Sequence, residues 1–339
     1  MEHIAIDLGG RESQVCIRAT DGTVVMERRL VTARIPAFLQ GRPASRVIVE
    51  TCAEAFAVAD AALASGHETR VVAATLVRSL GVGSRGVKTD QRDARILSEV
   101  STRIDLPSVH IPSHLSRERK SICVMRDALV SSRTKLINTV RGWMRASARR
   151  PTTGKVETFV TRMRLALKDF EVPSFLERQL KQIDSLNASI LEADLELEAL
   201  AKADPTCRRL ITVPGVGPVT AIRFCAAVDQ VERFPSSAQL QAYLGLTPGE
   251  NSSSDRKQRT GITKAGPARL RAMLVQAAWA ARRSRGKHPM LEWVLEVEKR
   301  RGKRVAIVAL ARKLGAILFA IWRDGTFYDP THRAPSLND

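Results

Sequence analysis

Short apolar runs recur through the first hundred residues and are separated by turn residues. They predict five strands, in the segments HIAIDLG, SQVCIRAT, GTVVMERRLV, RVIVE and TRVVAA. Asp21-Gly22, between the second and third runs, is a strong hairpin signal. An Ala-rich helix is predicted over 53–66, and a further helix from Asp90. Three hairpin-linked strands followed by a strand–helix–strand unit predict a mixed sheet flanked by helices.

The apolar spacing changes to threes and fours from about residue 115, which predicts helices. The segment 115–170 contains 14 Lys or Arg against 4 Asp or Glu, so a long basic helix there suits contact with backbone phosphates, although a merely solvated helix is nearly as good an interpretation. The segment 174–201 carries a heptad seam that can pair with this helix or with another subunit. The seam residues are Leu176, Leu180, Ile183, Ile190 and Leu197. Beyond 204 the pattern is mainly helical.

Charge and composition narrow the expected partners. The 339 residues carry 54 Lys and Arg against 35 Asp and Glu, a formal net charge of +19. Nucleic acid is the first expected partner, because phosphate neutralisation by Lys and Arg supplies most non-specific affinity. We find no window with the apolar length of a spanning helix, so no membrane partner is expected. Five scattered cysteines and an N-terminus without signal-peptide features indicate a cytoplasmic location.

Four carboxylates stand in an order that suits a metal site. Asp7 ends the first predicted strand, Glu50 ends the fourth, and Asp90 and Asp93 share one face of the following helix. Converging carboxylates repel one another unless a cation neutralises them, and Mg²⁺ prefers oxygen ligands. Each acid alone is equally well a turn residue or a helix cap. The four together predict a site for Mg²⁺, with Mn²⁺ as the alternative.

The stretches AIDLG, VIVETC and KTDQRDA resemble, in order, the motifs of the DEDD-type transposases of bacterial insertion sequences. That family includes the Piv-type DNA invertases and the bridge-RNA-guided recombinases. The resemblance implies an RNase H-like (RuvC-like) α/β fold for the N-terminal domain. It also implies that Asp7, Glu50, Asp90 and Asp93 form the family's acidic tetrad and bind the metal.

The C-terminal half resembles the same family in YLGLTPGENSSSDRKQRTGITKAGPARLR, residues 243–271. The family has a nucleophilic serine between a GL-x-P stretch and a K-x-G stretch, and it becomes covalently joined to DNA. A gapless count between the two stretches places this serine on Ser253. The family usually has Ser-Gly at this point, whereas here Ser254 follows. Ser252 and Ser254 therefore stay open as alternatives.

Candidate nucleic-acid contacts surround these motifs. PGVGPVTA at 214–221 is similar to a helix-hairpin-helix turn, whose glycines permit close backbone approach and whose helix N-terminus favours a phosphate. An ordinary glycine turn is the alternative. Residues 256–287 contain ten Lys or Arg and no acid, which suits a polyanionic substrate. The predicted contacts are Gly215, Gly217, Lys257, Arg259, Lys264, Arg269 and Arg271. Further candidates beside the acidic pair are Lys88, Arg92 and Arg95.

These features predict a DNA transposase or recombinase that works through a phosphoserine intermediate. The predicted parts are an RNase H-like catalytic domain at 1–105, a basic helical and coiled-coil connector at 106–203, a mainly α, serine-bearing helix-hairpin-helix domain at 204–330, and a tail at 331–339. The resemblance further implies a non-coding guide RNA. It also implies a homodimer or homotetramer in which acids and serine come from different subunits.

Two other functions are compatible with the residues. The first is an RNase H-like, metal-dependent, structure-specific nuclease that uses water, with the serine stretch as a structural loop. The second is a non-catalytic nucleic-acid-binding protein derived from a mobile element.

Overall fold

The computed structural model describes residues 1–79, 90–150, 152–253, 256–284 and 289–331. The chain divides into two compact units, Met1–Pro112 and Ser113–Asp339. The finer division predicted at residues 105 and 203 stays a prediction. Each unit has its own hydrophobic cores.

The first unit is built on a five-stranded mixed sheet. Its strands are β1 (His3–Asp7), β2 (Glu12–Arg18), β3 (Val24–Val31), β4 (Arg46–Glu50) and β5 (Glu68–Val72). Their order is β3-β2-β1-β4-β5. The pairs β1–β2 and β2–β3 are antiparallel, whereas β1–β4 and β4–β5 are parallel. The predicted mixed sheet is confirmed, and all five predicted strands form.

Helices cover both faces of this sheet, which explains why the central strands are apolar throughout. The helices are α1 (Ile35–Gln40), α2 (Ala55–Ala64), α3 (Ala74–Ser79) and α4 (Asp90–Arg103). Alternate residues of a strand point to opposite faces, so Ile4 and Ile6 pack with α1 and α2 while Ala5 packs with Leu97 of α4. Full burial of an Ile side chain stabilises the fold by about 1.5–3 kcal/mol. The packed sheet and α4 therefore hold the side chains at the strand ends in fixed positions.

Two long antiparallel helices, α5 (His114–Ala146) and α7 (Ser174–Ala203), begin the second unit, and α6 (Phe159–Ala166) lies between them in sequence. The seam of α7, including Leu176, Leu180 and Ile183, is buried together with Ile137 and Val140 of α5. Of the two partners expected for the heptad seam, the helix of the same chain is the one that it contacts in the structure.

The rest of the second unit packs around one helical core. Its elements are α8 (Pro205–Ile211), α9 (Pro218–Val228), α10 (Ser237–Tyr243), β6 (Pro248–Ser253), β7 (Arg256–Ile262), α11 (Ala268–Arg283), α12 (Pro289–Arg301) and α13 (Lys303–Asp324). The core includes Phe224, Leu274, Leu314 and Phe319. The antiparallel pair β6–β7 differs from the mainly helical pattern expected here.

The prediction that no segment is apolar enough to span a membrane is wrong for helix α13. Its 22 residues include an 18-residue window of mean hydropathy 2.0. Half of that window is buried inside the protein, where Leu310, Leu314 and Leu318 contact the core. The apolar character of α13 is accounted for by this burial, since a core helix passes the same test of length and composition as a membrane span.

Candidate active site and nucleic-acid interface

Two of the four predicted acids end neighbouring parallel strands. Asp7 is the last residue of β1, and Glu50 is the last residue of β4. Ile6 pairs with Val49 across these strands, so the residues that follow them come side by side at the carboxyl edge of the sheet. Both carboxylates are half-buried. Strand register alone therefore brings the first two acids together.

Asp93 reaches the same place from α4, and the residue is only 7% exposed. Asp7, Glu50 and Asp93 line one small cavity of about 10 Å³. Its apolar walls are Ile6, Val77 and Leu97. This volume is close to that of one water-sized sphere. Asp90 is the first residue of α4, and its side chain lies outside the described part of the chain.

The donor set of this cavity suits a hard cation such as Mg²⁺, because three carboxylates supply oxygen ligands. Among the described residues, however, no three Asp, Glu, His or Cys side chains stand close enough together to bind one ion. The carboxylates must close toward a bound ion to reach the roughly 2.0–2.1 Å of Mg–O contacts. The chemistry of the residues fits the metal, and the ligand set remains a prediction.

Contacts with the sheet fix α4 in place. Glu27 of β3 accepts hydrogen bonds from the guanidinium of Arg95 and, at 3.0 Å, from the Gln91 amide. The hydrogen bonds from Arg95 lower the pKa of Glu27. Arg95, a candidate phosphate contact, is thus engaged within its own unit. Arg92 is exposed, whereas Lys88 lies outside the described residues.

Two of the three candidate serines lie at the end of β6. Ser252 and Ser253 are the last two residues of β6, and Ser254 lies outside the described residues. The side chains that lie outside the described part include those of Ser252, Ser253, Lys257 and Arg259. The backbone register places Ser252 opposite Lys257. Ser252 and Ser253 therefore lie at the far end of the antiparallel β6–β7 hairpin.

The base of this hairpin is a close backbone contact between the two motif stretches. Gly266 has φ +70°, and a Cβ atom there would overlap the carbonyl oxygen of Tyr243. The N–H of Thr263 donates to the carbonyl oxygen of Thr247 at 2.9 Å. The glycine of the K-x-G stretch is thereby explained by packing against the segment just before GL-x-P.

The predicted nucleic-acid contacts near the hairpin differ in their availability. The guanidinium of Arg271 donates to the carbonyl oxygens of Leu244 and Ala265 at 3.1 and 2.7 Å, so it helps to join the hairpin base. Lys264 is exposed, and the side chain of Arg269 is 72% exposed. Among the predicted cations near the hairpin whose side chains are described, Lys264 and Arg269 are consequently the ones that a phosphate can reach.

The glycine turn lies between α8 and α9, a geometry shared by a helix-hairpin-helix and by an ordinary glycine turn, so the choice between them stays a prediction. Gly215 has φ +85°, and a Cβ atom there would overlap the carbonyl oxygen of Ala277 in α11. Its close approach is therefore to protein backbone. Gly217 is the N-cap of α9, and no described atom lies within 4 Å of where its Cβ would stand. Gly217 fits a phosphate contact better than Gly215.

Three arginines of α5 have internal partners that the sequence interpretation missed. Arg119, Arg126 and Arg133 are spaced by seven residues and lie on one face of the helix. They pair with Asp204, Asp194 and Asn187, respectively. The heptad spacing of these arginines is the signal that could have revealed their role. Three of the 14 cations attributed to a phosphate-binding surface in 115–170 are therefore used to join helices.

The sheet, its carboxylate edge and the basic helical unit agree with the class of protein expected from the motifs, the DEDD-type transposases. A family model described as a transposase, of the DEDD type found in IS110, matches residues 4–147. A second, described as the transposase IS116/IS110/IS902 family, matches residues 207–291.

Curated relatives agree over most of the chain. A transposase for insertion sequence element IS1111A of Coxiella burnetii is 28% identical, covering 94% of this chain and 88% of its own. A transposase for insertion sequence element IS1328 of Yersinia enterocolitica is 27% identical, covering 96% of this chain and 98% of its own. A protein of Sinorhizobium fredii that is named as a transposase is 30% identical, covering 76% of this chain and 70% of its own. The chain belongs to the IS116/IS110/IS902 family of insertion-sequence transposases.

Proposed function

We propose that this protein is the DNA recombinase of an insertion sequence and that it cleaves and rejoins strands in the cytoplasm through a serine-linked intermediate. The observation that carries the proposal is the cavity where Asp7, Glu50 and Asp93 come together at the carboxyl edge of the sheet. Two neighbouring strands and a later helix supply these acids. That order supports an RNase H-like catalytic domain.

The acidic tetrad would hold Mg²⁺ or Mn²⁺ through Asp7, Glu50, Asp90 and Asp93. When bound, the ion would stabilise the negative charge that develops on the scissile phosphate. Burial of Asp93 against apolar residues lowers the local dielectric, which strengthens the attraction between its carboxylate and a cation. The buried acid is therefore the most sensitive point at which to test the site.

Ser253 is the proposed nucleophile, with Ser252 and Ser254 as alternatives. Its hydroxyl loses a proton as Oγ bonds to the scissile phosphorus, while the bond from phosphorus to the leaving sugar oxygen breaks and that oxygen gains a proton. The resulting phosphoserine diester conserves the phosphoester bond. The hydroxyl of another DNA end then attacks the phosphorus and releases the serine, which rejoins the strands.

The partners are also proposed. A net charge of +19 accommodates a non-coding guide RNA as well as DNA. A homodimer or homotetramer is supported by Leu191 and Leu195 of α7, which are 60% and 56% exposed and lie outside the seam that contacts α5.

The test is a covalent-adduct assay with end-labelled element DNA, RNA from the element's flank and Mg²⁺. The wild type should give a labelled protein band on a denaturing gel, and Asp93→Asn should reduce it by about 100-fold or more. Asp184→Asn on α7 is the matched control, because it makes the same change on an exposed acid. Each of Ser252, Ser253 and Ser254 is changed to Ala in turn, with the adduct expected to vanish for Ser253.

The three functions give different results. Cut DNA without a protein-linked label would favour the nuclease that uses water. Binding without cutting, unchanged by Asp93→Asn, would favour the non-catalytic protein. An adduct that disappears with Ser252→Ala or Ser254→Ala would retain the recombinase and move the nucleophile.

A further inference from the structure

Helix α5 has a second polar face, distinct from the one that carries the paired arginines. Its residues are at 131, 134–135 and 138–139, so they recur three or four positions apart and form one stripe, which Val130 borders. Ser131, Thr134, Lys135, Asn138 and Thr139 are all exposed on this stripe. Neither α7 nor α8 covers these side chains, and the stripe runs for roughly 13 Å along the helix.

This stripe and α11 together form an open groove of about 720 Å³. Val130 is the one apolar residue among those that line it in the described part of the chain. The polar lining consists of Ser131, Thr134, Lys135, Asn138, Thr139 and Arg269. Pockets for small organic ligands are mostly apolar and enclosed, so this groove suits a polar, extended ligand better.

The groove contains two cationic side chains whose charge is not neutralised by acidic side chains among the described residues. Asp127 lies near Arg269, with 3.9 Å between its Oδ2 and the arginine Nε, but it also accepts a 2.9 Å hydrogen bond from the buried Arg223. Arg223 therefore already balances the charge of Asp127. In the described part of the chain no ion pair involves Lys135, in contrast to Arg126 on the same helix. Lys135 and Arg269 thus present two cations to the groove.

We propose that this groove binds the sugar–phosphate backbone of a nucleic-acid strand. Lys135 and Arg269 supply charge for phosphate oxygens, and the Asn138 amide and Ser131 hydroxyl supply neutral donors. The hydroxyls of Thr134 and Thr139 donate to the carbonyl oxygens of Val130 and Lys135 at 2.8 and 3.0 Å. They keep acceptor capacity for a donor such as a ribose hydroxyl. Measured along a duplex axis, where one strand has a phosphate every 3.4 Å, a stripe of about 13 Å corresponds to about four phosphates.

Arg269 also links the groove to the serine hairpin. It is the second residue of α11, which begins directly after the K-x-G stretch at the hairpin base. A strand bound in the groove therefore passes close to the base of the hairpin. The proposal depends on the proposed function only in that the ligand is a nucleic acid, and it requires neither the acids nor the serine to react.

The experiment measures binding of the full-length protein to fluorescein-labelled single-stranded DNA, duplex DNA and RNA of one sequence, by anisotropy in EDTA at several salt concentrations. The groove variant is Lys135→Gln with Arg269→Gln. The control is Arg178→Gln with Lys181→Gln, which removes the same charge from exposed positions of α7. EDTA prevents cleavage, so failure of the proposed chemistry does not affect the result.

The groove variant should bind about ten-fold or more weakly at 0.1 M salt. The slope of its log binding constant against log salt concentration should correspond to about two fewer phosphate contacts. Both quantities should change little in the control. Asn138→Asp adds one negative charge at an exposed position and should weaken binding several-fold, against Gln182→Glu on α7. A loss confined to RNA or to DNA would support the groove and identify its strand. Equal losses for groove and control variants, or none for either, on all three probes would overturn the proposal.

Discussion

Replacing Gly266 by Ala tests whether the two serine-motif stretches are joined backbone to backbone. Gly266 has φ +70°, a conformation that costs an L-residue about 1–2 kcal/mol. The new Cβ would also overlap the carbonyl oxygen of Tyr243, and such overpacking costs about 1–3 kcal/mol. Together the two effects predict a loss of about 2–5 kcal/mol in the free energy of unfolding of residues 113–339.

Urea unfolding followed by tryptophan fluorescence measures this loss directly. The chain's four tryptophans, at positions 143, 279, 293 and 322, all lie in the second unit, so their signal reports that unit alone. With a slope of about 3 kcal/mol per molar urea, the midpoint should fall by about 0.7–1.7 M. Circular dichroism in the absence of urea checks that the variant is folded at the start.

Gly261→Ala is the matched control in β7. No described atom lies within 4 Å of where its Cβ would stand, and its φ is not positive. Its free energy of unfolding should stay within about 0.5 kcal/mol of the wild type. If Gly266→Ala unfolds at the same urea concentration as Gly261→Ala, the close contact at the hairpin base does not exist and the reasoning is wrong.

Three further outcomes are expected. Glu27→Gln should lower the melting temperature measured by circular dichroism at pH 7. The difference from wild type should shrink as the pH falls below the ordinary Glu pKa of about 4.3, because hydrogen bonds from Arg95 lower the pKa of Glu27 and the stabilisation is lost as pH falls through that lowered value. Cys52 should be the thiol that maleimide labels in the native protein, as judged by mass spectrometry, and its rate should still rise above pH 9 because burial raises its pKa; labelling of the buried cysteines would contradict the fold. Asp204→Ala should lower the free energy of unfolding in the fluorescence assay by more than the roughly 1–2 kcal/mol of a lost N-cap, because it also removes the ion-pair partner of Arg119. A smaller loss is expected for Asp204→Asn, which retains a capping oxygen and loses only the charge.

The first unit is predictable from sequence because each of its strands carries its own signal. Ile4, Ala5 and Ile6 form an unbroken apolar run, as expected for a strand covered on both faces. An acid that ends such a run marks the carboxyl end of the strand, so Asp7 and Glu50 can be assigned to one sheet edge once β1 and β4 are taken as parallel neighbours. The small cavity that they share with Asp93 requires the packing of α4, which the sequence does not specify.

The serine hairpin lacks a comparable signal. The β6 segment PGENSS contains no apolar alternation, and strand preference in a polar segment depends on tertiary context. That context is supplied by residues on either side, through the contact of Gly266 with Tyr243. The contact between the free thiols of Cys207 and Cys225, whose Sγ atoms are 3.5 Å apart, could not be predicted from the sequence either, because it arises from the packing of α8 on α9.

A count of Lys and Arg overstates the surface that α5 offers to a phosphate. Arg126 forms an ion pair with Asp194, and Arg133 donates to Asn187, so replacing either arginine leaves a polar partner in the α5–α7 interface without its donor. Lys135, on the neighbouring face, forms no ion pair with another side chain in the described part of the chain. A uniformly basic helix would lose nucleic-acid affinity to a similar extent wherever a cation is removed. The structure instead predicts a division along one helix, in which Arg126→Gln mainly lowers stability and Lys135→Gln mainly lowers affinity.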